Sequence, residues 1–365
     1  MYRFRGGADG SLPLAGLTVL GGALYGTTGF GGASNDGTVF EVSPSGSERV
    51  VYSFKGAATD GAFPQASLIV VNGLLYGTTS RGGASNDGTA FDVSESGTER
   101  VIYSFKGGAD GWFPEANLTA VNGVLYGTTY FGGDGCASGG CGTFFKITKS
   151  GKEKVLYSFK GGADGAGPAA AVIAVNGTLY GTTLGGSTLN STLCPDQGFP
   201  GCGTIYEVSA SGNELVLRGF QGGTDGRTPS AGLVQTKNGL YGTTDYGGAT
   251  GNGTVYKIRA PGSGYQLLHS FSGADGSVPQ SALTGMGNAL YGTTDYGGAY
   301  YGGVVFKIST SGKLRVRYNF RGGSDGSLPV GNLVALNGVL YGTTYSGGTG
   351  CASNSGCGTV FALTP

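Results

Sequence analysis

Short apolar runs alternate along the chain with polar, glycine-rich stretches, and the alternation itself repeats. Read from Val50, one period holds four such runs: Val50-Val51-Tyr52-Ser53-Phe54, Ala66-Ser67-Leu68-Ile69-Val70-Val71, Leu74-Leu75-Tyr76-Gly77-Thr78-Thr79 and Thr89-Ala90-Phe91-Asp92-Val93. Each is rich in β-branched and aromatic residues and is bounded by turn signals such as Asn72-Gly73 and Ser96-Gly97. That combination predicts short antiparallel strands joined by hairpins. The 3.6-residue apolar period of a helix appears nowhere.

The third run, Leu-Tyr-Gly-Thr-Thr, occurs seven times, with its tyrosine at Tyr25, Tyr76, Tyr126, Tyr180, Tyr241, Tyr291 and Tyr341. The intervals are 51, 50, 54, 61, 50 and 50 residues. Seven units of four strands predict an all-β, seven-bladed β-propeller that occupies residues 1–365 as one domain. We label the strands A (after the conserved-position proline of each unit), B (Leu-Tyr-Gly-Thr-Thr), C (Thr-Val-Phe) and D (Tyr-Ser-Phe). The chain opens with a D strand, Tyr2-Arg3-Phe4, and closes with a C strand, Gly358-Thr359-Val360-Phe361-Ala362-Leu363. The seventh blade is therefore expected to borrow its D strand from the N-terminus, a 3+1 closure that leaves neither edge unpaired. The second residue after each proline is Ala15, Ala66, Ala116, Ala170, Ala231, Ser281 or Gly331. Small residues at that point place strand A next to the crowded axis.

Composition refines this picture. The 78 glycines are periodic and lie between apolar runs, which points to tight turns rather than disorder. With 22 basic and 22 acidic residues the formal charge is zero, which argues against a nucleic-acid partner. No run of eighteen apolar residues exists, so no membrane insertion is expected. The six cysteines fall as local pairs, Cys136/Cys141, Cys194/Cys202 and Cys351/Cys357, and predict three short disulfides in an oxidising compartment. A zinc site shared by Cys136, Cys141, Cys194 and Cys202 is the alternative, although their spacing is not that of zinc-binding cysteine pairs. Met1-Tyr2-Arg3-Phe4 lacks the apolar region of a signal peptide. The expectation is an exported, extracellular or cell-surface monomer whose export signal has been removed.

The succession Tyr-Ser-Phe, Gly-Gly-x-Asp-Gly, Leu-Tyr-Gly-Thr-Thr, Gly-Gly and Gly-Thr-Val-Phe resembles the GloVer-type tandem repeat of bacterial proteins, and it covers essentially the whole chain. The resemblance implies export or surface attachment and assigns no catalytic residue.

Features that recur in all seven copies read as structural. Asp9, Asp60, Asp110, Asp164, Asp225, Asp275 and Asp325 each precede a glycine and lie four residues before a proline. They are expected to accept backbone N–H groups in turns, with a Ca²⁺ role as the alternative and no other cofactor expected. The threonine pairs of strand B should bond along the ladder and in turns. The repeated tyrosines should pack between blades with their hydroxyls satisfied.

Function is expected where the copies disagree, on the face carrying the D–A and B–C loops. There the positions after Leu-Tyr-Gly-Thr-Thr hold Arg81, Tyr130, Asp245, Tyr246, Asp295, Tyr296 and Tyr345, and those after the prolines hold Gln65, Glu115 and Gln280. Glu115 should lie at the mouth of the axial channel, with Trp112 in the same blade's D–A loop. The cysteine loops should rise as walls. Aromatic faces beside amides and carboxylates suit sugar rings, so the expected partner is a carbohydrate or another extracellular ligand.

Two alternatives are carried. A glycoside hydrolase would use Glu115 with Asp245 or Asp295, and a polysaccharide lyase a tyrosine base with Arg81. A structural or adhesive module would bind another protein. The only histidine, His269, replaces a strand-D tyrosine and should sit at the rim, away from any catalytic centre.

Overall fold

Each unit folds into a four-stranded antiparallel sheet, and the order A-B-C-D is the same in all seven. The structure is a computed structural model that describes residues 1–136, 139–187, 194, 198–259, 262–349, 351 and 356–365. In blade 2, strand A (Ile69–Val71) pairs with B (Leu74–Thr79), B with C (Thr89–Val93), and C with D (Glu99–Ser104). Asn72 and Gly73 take φ of 53° and 77°, the left-handed pair that a two-residue hairpin requires.

Blade 7 is assembled from both ends. Val334–Leu336, Val339–Thr344 and Thr359–Leu363 supply A, B and C, and Tyr2–Arg3 adds D through Tyr2 opposite Val360 and Arg3 opposite Thr359. Phe4 N–H donates to Gly358 O at 3.1 Å, extending the ladder. Every strand A touches the A strands of its two neighbours, blade 7 against blade 1 included, so the ring is closed. The five alanines and one serine at the second position after the prolines are buried here. At the seventh such position, Gly331, a Cβ would fall 2.7 Å from Ala15 O. The closing junction has no room for one.

Three repeated contacts weld neighbouring blades. The phenylalanine ending each strand D meets the strand-C aromatic of the next blade edge-on, as Phe4 with Phe40 (5.0 Å), Phe54 with Phe91 (5.1 Å) and Phe320 with Phe361 (5.0 Å). Each such pair is worth about 0.5–1.5 kcal/mol beyond area burial. In four blades the first threonine of strand B reaches the segment leading into the next blade's strand A, as Thr78 Oγ1 to Ala116 O at 3.2 Å, whereas Thr293 donates to Ser281 of its own blade and Thr128 and Thr243 have no protein partner. The second threonine stays in its own blade, as Thr79 Oγ1 with Thr89 Oγ1 at 2.8 Å. Finally, the residue before each proline is left-handed and donates its N–H to the preceding blade, as Phe63 (φ 58°) to Asp36 O at 2.9 Å.

The turn aspartates behave as expected. Asp110 accepts from Lys106 N–H and the Tyr103 hydroxyl, both at 2.8 Å. His269 lies on outermost strand Ser263–Ser270, with Nε2 2.8 Å from Asp275. One expectation for the strand-B tyrosines fails: Tyr25 donates to Glu41 at 3.1 Å, but the buried Tyr241 hydroxyl has no protein partner. There the strand-C residue opposite is Lys257 rather than an acid, and its ammonium sits over the ring at 5.6 Å.

The cysteines pair as Cys136–Cys141, Cys194–Cys202 and Cys351–Cys357, which removes the zinc alternative. No cluster of three His, Cys, Asp or Glu suited to a metal occurs among the described residues. The expected loop walls at 137–138, 188–193, 195–197 and 352–355 lie outside the described residues. No helix among the described residues is long and apolar enough to cross a membrane.

Candidate functional site

On the loop face, one residue of each D–A loop forms a two-way backbone bridge with the second residue after Leu-Tyr-Gly-Thr-Thr. The pairs are Ser11/Phe30, Ala62/Arg81, Trp112/Phe131, Ala166/Gly185, Arg227/Tyr246, Ser277/Tyr296 and Ser327/Ser346. Bridged side chains are neighbours, so each pair sets what its blade shows to solvent. Trp112 stacks on Phe131 at 4.4 Å and is half-buried. The Arg227 guanidinium covers Tyr246 at 4.8 Å. Arg81 is exposed and lies between the rings of Phe63 and Phe113, at 5.7 and 5.9 Å. Tyr296 faces only a serine, and its side is left 51% exposed.

Nearer the axis, the residues after each proline line a cavity of about 350 Å³. Its amides and carboxyl come from Gln65, Glu115, Asn117, Gln280 and Asn332, its hydroxyls from Ser67, Thr119 and Ser230, and they are interrupted by Leu14, Ala169 and Val330. Gln65 Nε2 donates to Ser80 Oγ at 3.0 Å and to Glu115 Oε1 at 3.3 Å. Burial raises the Glu115 carboxyl above its ordinary value, and the Gln65 bond lowers it in part. Asn117 Oδ1 accepts from Ser67 N–H at 2.6 Å, and Asn332 Oδ1 from Ala282 N–H at 2.7 Å. Those two asparagines escaped the sequence reading. Their signal was available at the third residue after each proline, where only these two copies carry an amide.

Asp245 and Asp295 are buried behind this lining and do not themselves form the cavity wall. Ser230 Oγ donates to Asp245 Oδ1 at 2.5 Å, and Gln280 Nε2 lies 3.4 Å from Oδ2. Burial pushes the Asp245 carboxyl up to about 7 against these bonds. Asp295 is raised well above its ordinary value by burial and then by the charge of Asp245, and its buried Oδ1 has no partner. The structure thus brings Asp245 and Asp295 together. Glu115, two and three blades away, interacts with neither.

Tyr130 is half-buried against Phe131 (4.5 Å) and Phe199 (5.3 Å), and Tyr345 is half-buried too. Two further aromatics were missed by the sequence reading. Tyr300 and Tyr301, in the B–C loop of blade 6, are 52% and 81% exposed. Setting Ala299-Tyr300-Tyr301 beside Ala33-Ser34-Asn35 and Ala84-Ser85-Asn86 would have found them.

A family model described as the Gloeobacter/Verrucomicrobia repeat matches residues 1–194 and 192–365. Among solved structures, the extracellular domain of a proposed hybrid two-component system from B. thetaiotaomicron matches with a TM-score of 0.61 at 10% identity, over 98% of this chain and 39% of that longer one. A proposed 6-phosphogluconolactonase from Bacteroides uniformis gives 0.56 at 14% identity, over 88% of this chain and 89% of that one. A second, from Bacteroides fragilis, gives 0.55 at 18% identity, over 89% and 88%. At these identities the likeness is one of fold. No curated protein matches the sequence.

Proposed function

The chain belongs to the Gloeobacter/Verrucomicrobia repeat family, and from that premise we propose that it is an exported propeller that binds a carbohydrate, or another extracellular ligand, on its loop face. Three disulfides support the oxidising compartment that export implies. The observation that carries the binding reading is the lining of the axial cavity. Four side-chain amides and one carboxyl stand there beside apolar patches, on a scaffold that is otherwise near sevenfold. Amides both donate and accept, as sugar hydroxyls do, and the volume falls in the range of roughly 300–1,000 Å³ usual for small-molecule sites.

Titration of the protein with an array of glycans tests this. Gln65→Ala and Gln280→Ala should each weaken binding by about tenfold, the worth of one or two lost hydrogen bonds. If no glycan binds, the carbohydrate reading is lost and a protein partner on the same face takes its place.

The buried pair Asp245 and Asp295 favours a second reading, a carbohydrate-active enzyme, because carboxyls displaced toward neutrality gather at catalytic sites. Under it, Asp295→Asn and Glu115→Gln would abolish release of reducing ends from a polysaccharide panel while leaving binding intact. Binding remains the preferred reading because neither aspartate lines the cavity.

A further inference from the structure

We infer that a groove across blades 5 to 7, with Tyr296 and Tyr301 as its aromatic surfaces, is a stacking platform for a neutral oligosaccharide. This rests on the carbohydrate reading above and adds to it a second place and a ligand class.

The first observation is a residue that the fold does not want. The B–C loops of blades 1, 2, 5 and 6 have the same length, and besides their glycine pair and closing glycine the same position in each is left-handed: Asn35 (φ 63°), Asn86 (61°), Gly251 (82°) and Tyr301 (59°). Asparagine and glycine suit that conformation. Asn35 and Asn86 also use it, each accepting a backbone N–H through Oδ1 at 3.0 Å, from Gly31 and Gly82. Tyr301 gives up both advantages, and its exposed ring secures no compensating burial. The other bulky left-handed residues, those before the prolines, differ in kind, since each is tied to the preceding blade by its own N–H. The left-handed backbone closes a turn within its own loop, with Tyr301 N–H 3.4 Å from Gly298 O, but the exposed ring adds nothing to that turn, which points to a role outside the fold.

The second observation is where Tyr301 stands. It borders two depressions, of about 390 and 750 Å³. The first runs toward blade 7 and is shared with Tyr296, Ser327 and Ser346, and the second runs toward blade 5 past Asn252, Ser272 and Asn319. Among the described residues, no acidic or basic side chain lines either one. Exposed ring faces flanked by hydroxyls and amides match the C–H faces and hydroxyl rim of a pyranose. The absence of charge from both walls selects a neutral sugar over a uronic acid. Depressions on both sides of the ring fit a ligand longer than one residue. Tyr300 is not part of the platform, since the Arg321 guanidinium already lies 5.1 Å from its ring.

Tyr301→Asn restores the residue of the other loops, so the variant should fold at least as well as the parent. The test measures, by calorimetric titration, binding of cellohexaose, laminarihexaose, maltohexaose and hexagalacturonate to the parent, to Tyr301→Asn, to Tyr296→Ala and to Gln280→Ala. We expect at least one neutral hexamer to bind, the charged one to bind more weakly, and each tyrosine variant to lose about tenfold or more in affinity. Parent-like affinity in both tyrosine variants would overturn the platform, and if Gln280→Ala then loses binding the axial reading survives it. Loss in the tyrosine variants with none in Gln280→Ala would uphold the platform and sink the axial site. A preference for hexagalacturonate would overturn the neutral-ligand assignment.

Discussion

At Gly127, a Cβ would lie 2.5 Å from the Phe145 ring on the facing strand and 3.0 Å from Leu118. The same contact recurs at Gly26, Gly77, Gly181, Gly242, Gly292 and Gly342, each opposite the strand-C aromatic. The glycine of Leu-Tyr-Gly-Thr-Thr is therefore a berth for a ring rather than a turn residue. Gly127→Ala should cost about 1–3 kcal/mol through overpacking, read as a lower denaturant midpoint with an unchanged slope. Residue identities at the site were legible to the extent that the copies could be compared: Glu115, Gln65 and Gln280 do line the axial cavity. What could not be read was which of them meet. Asp245 and Asp295 lie one full repeat apart in sequence, and their coupling arises only because adjacent blades bring the same position side by side. Trp112 and Tyr130 looked like free aromatic surfaces, yet each leans on Phe131, because the bridge between the two loops presses their rings together.

Strand D begins with a glutamate in four consecutive blades, and three of these carry a large shift. Burial, and then the charge of a turn aspartate, pushes Glu99 up to about 7 and Glu153 and Glu214 up to about 8. The partner aspartates are Asp60, Asp110 and Asp164, each beside its tyrosine hydroxyl, with Lys55, Lys106 and Lys160 offsetting the effect in part. In the unfolded chain these glutamates titrate near 4.5. Between that pH and about 8 the folded state holds more protons than the unfolded state, so stability falls as pH rises. The melting temperature should be higher at pH 5 than at pH 8, and Glu153→Gln with Glu214→Gln should flatten the difference. A melting temperature that climbs across this window would rule the mechanism out. None of this was visible in the run Glu-Lys-Val-Leu-Tyr-Ser, which says nothing of what lies beside its glutamate. Its environment is made by the neighbouring blade.

The ring as a whole was the most legible level, because periodicity, strand count and the split final blade all show in one dimension. Its closure depends on few residues. Phe4 is fully buried against Phe40, Leu17 and Val360, and the ladder it completes pairs two residues. Deleting residues 1–5 removes about 3–5 kcal/mol from Phe4 alone, and the thermal transition should fall sharply. A truncated chain that melts like the parent would disprove the closure. The same strand has a consequence for biosynthesis. Strands D of blades 1 to 6 find their partners within a few residues, whereas Tyr2 must wait for Val360, at the far end of the chain. The first strand of the propeller to be synthesised is thus the last to be seated, and until then its place is open to the equivalent strand of another molecule. Refolding at high protein concentration should therefore yield strand-exchanged dimers on size exclusion. A circular permutant carrying residues 1–5 after Pro365 should refold faster and remain monomeric.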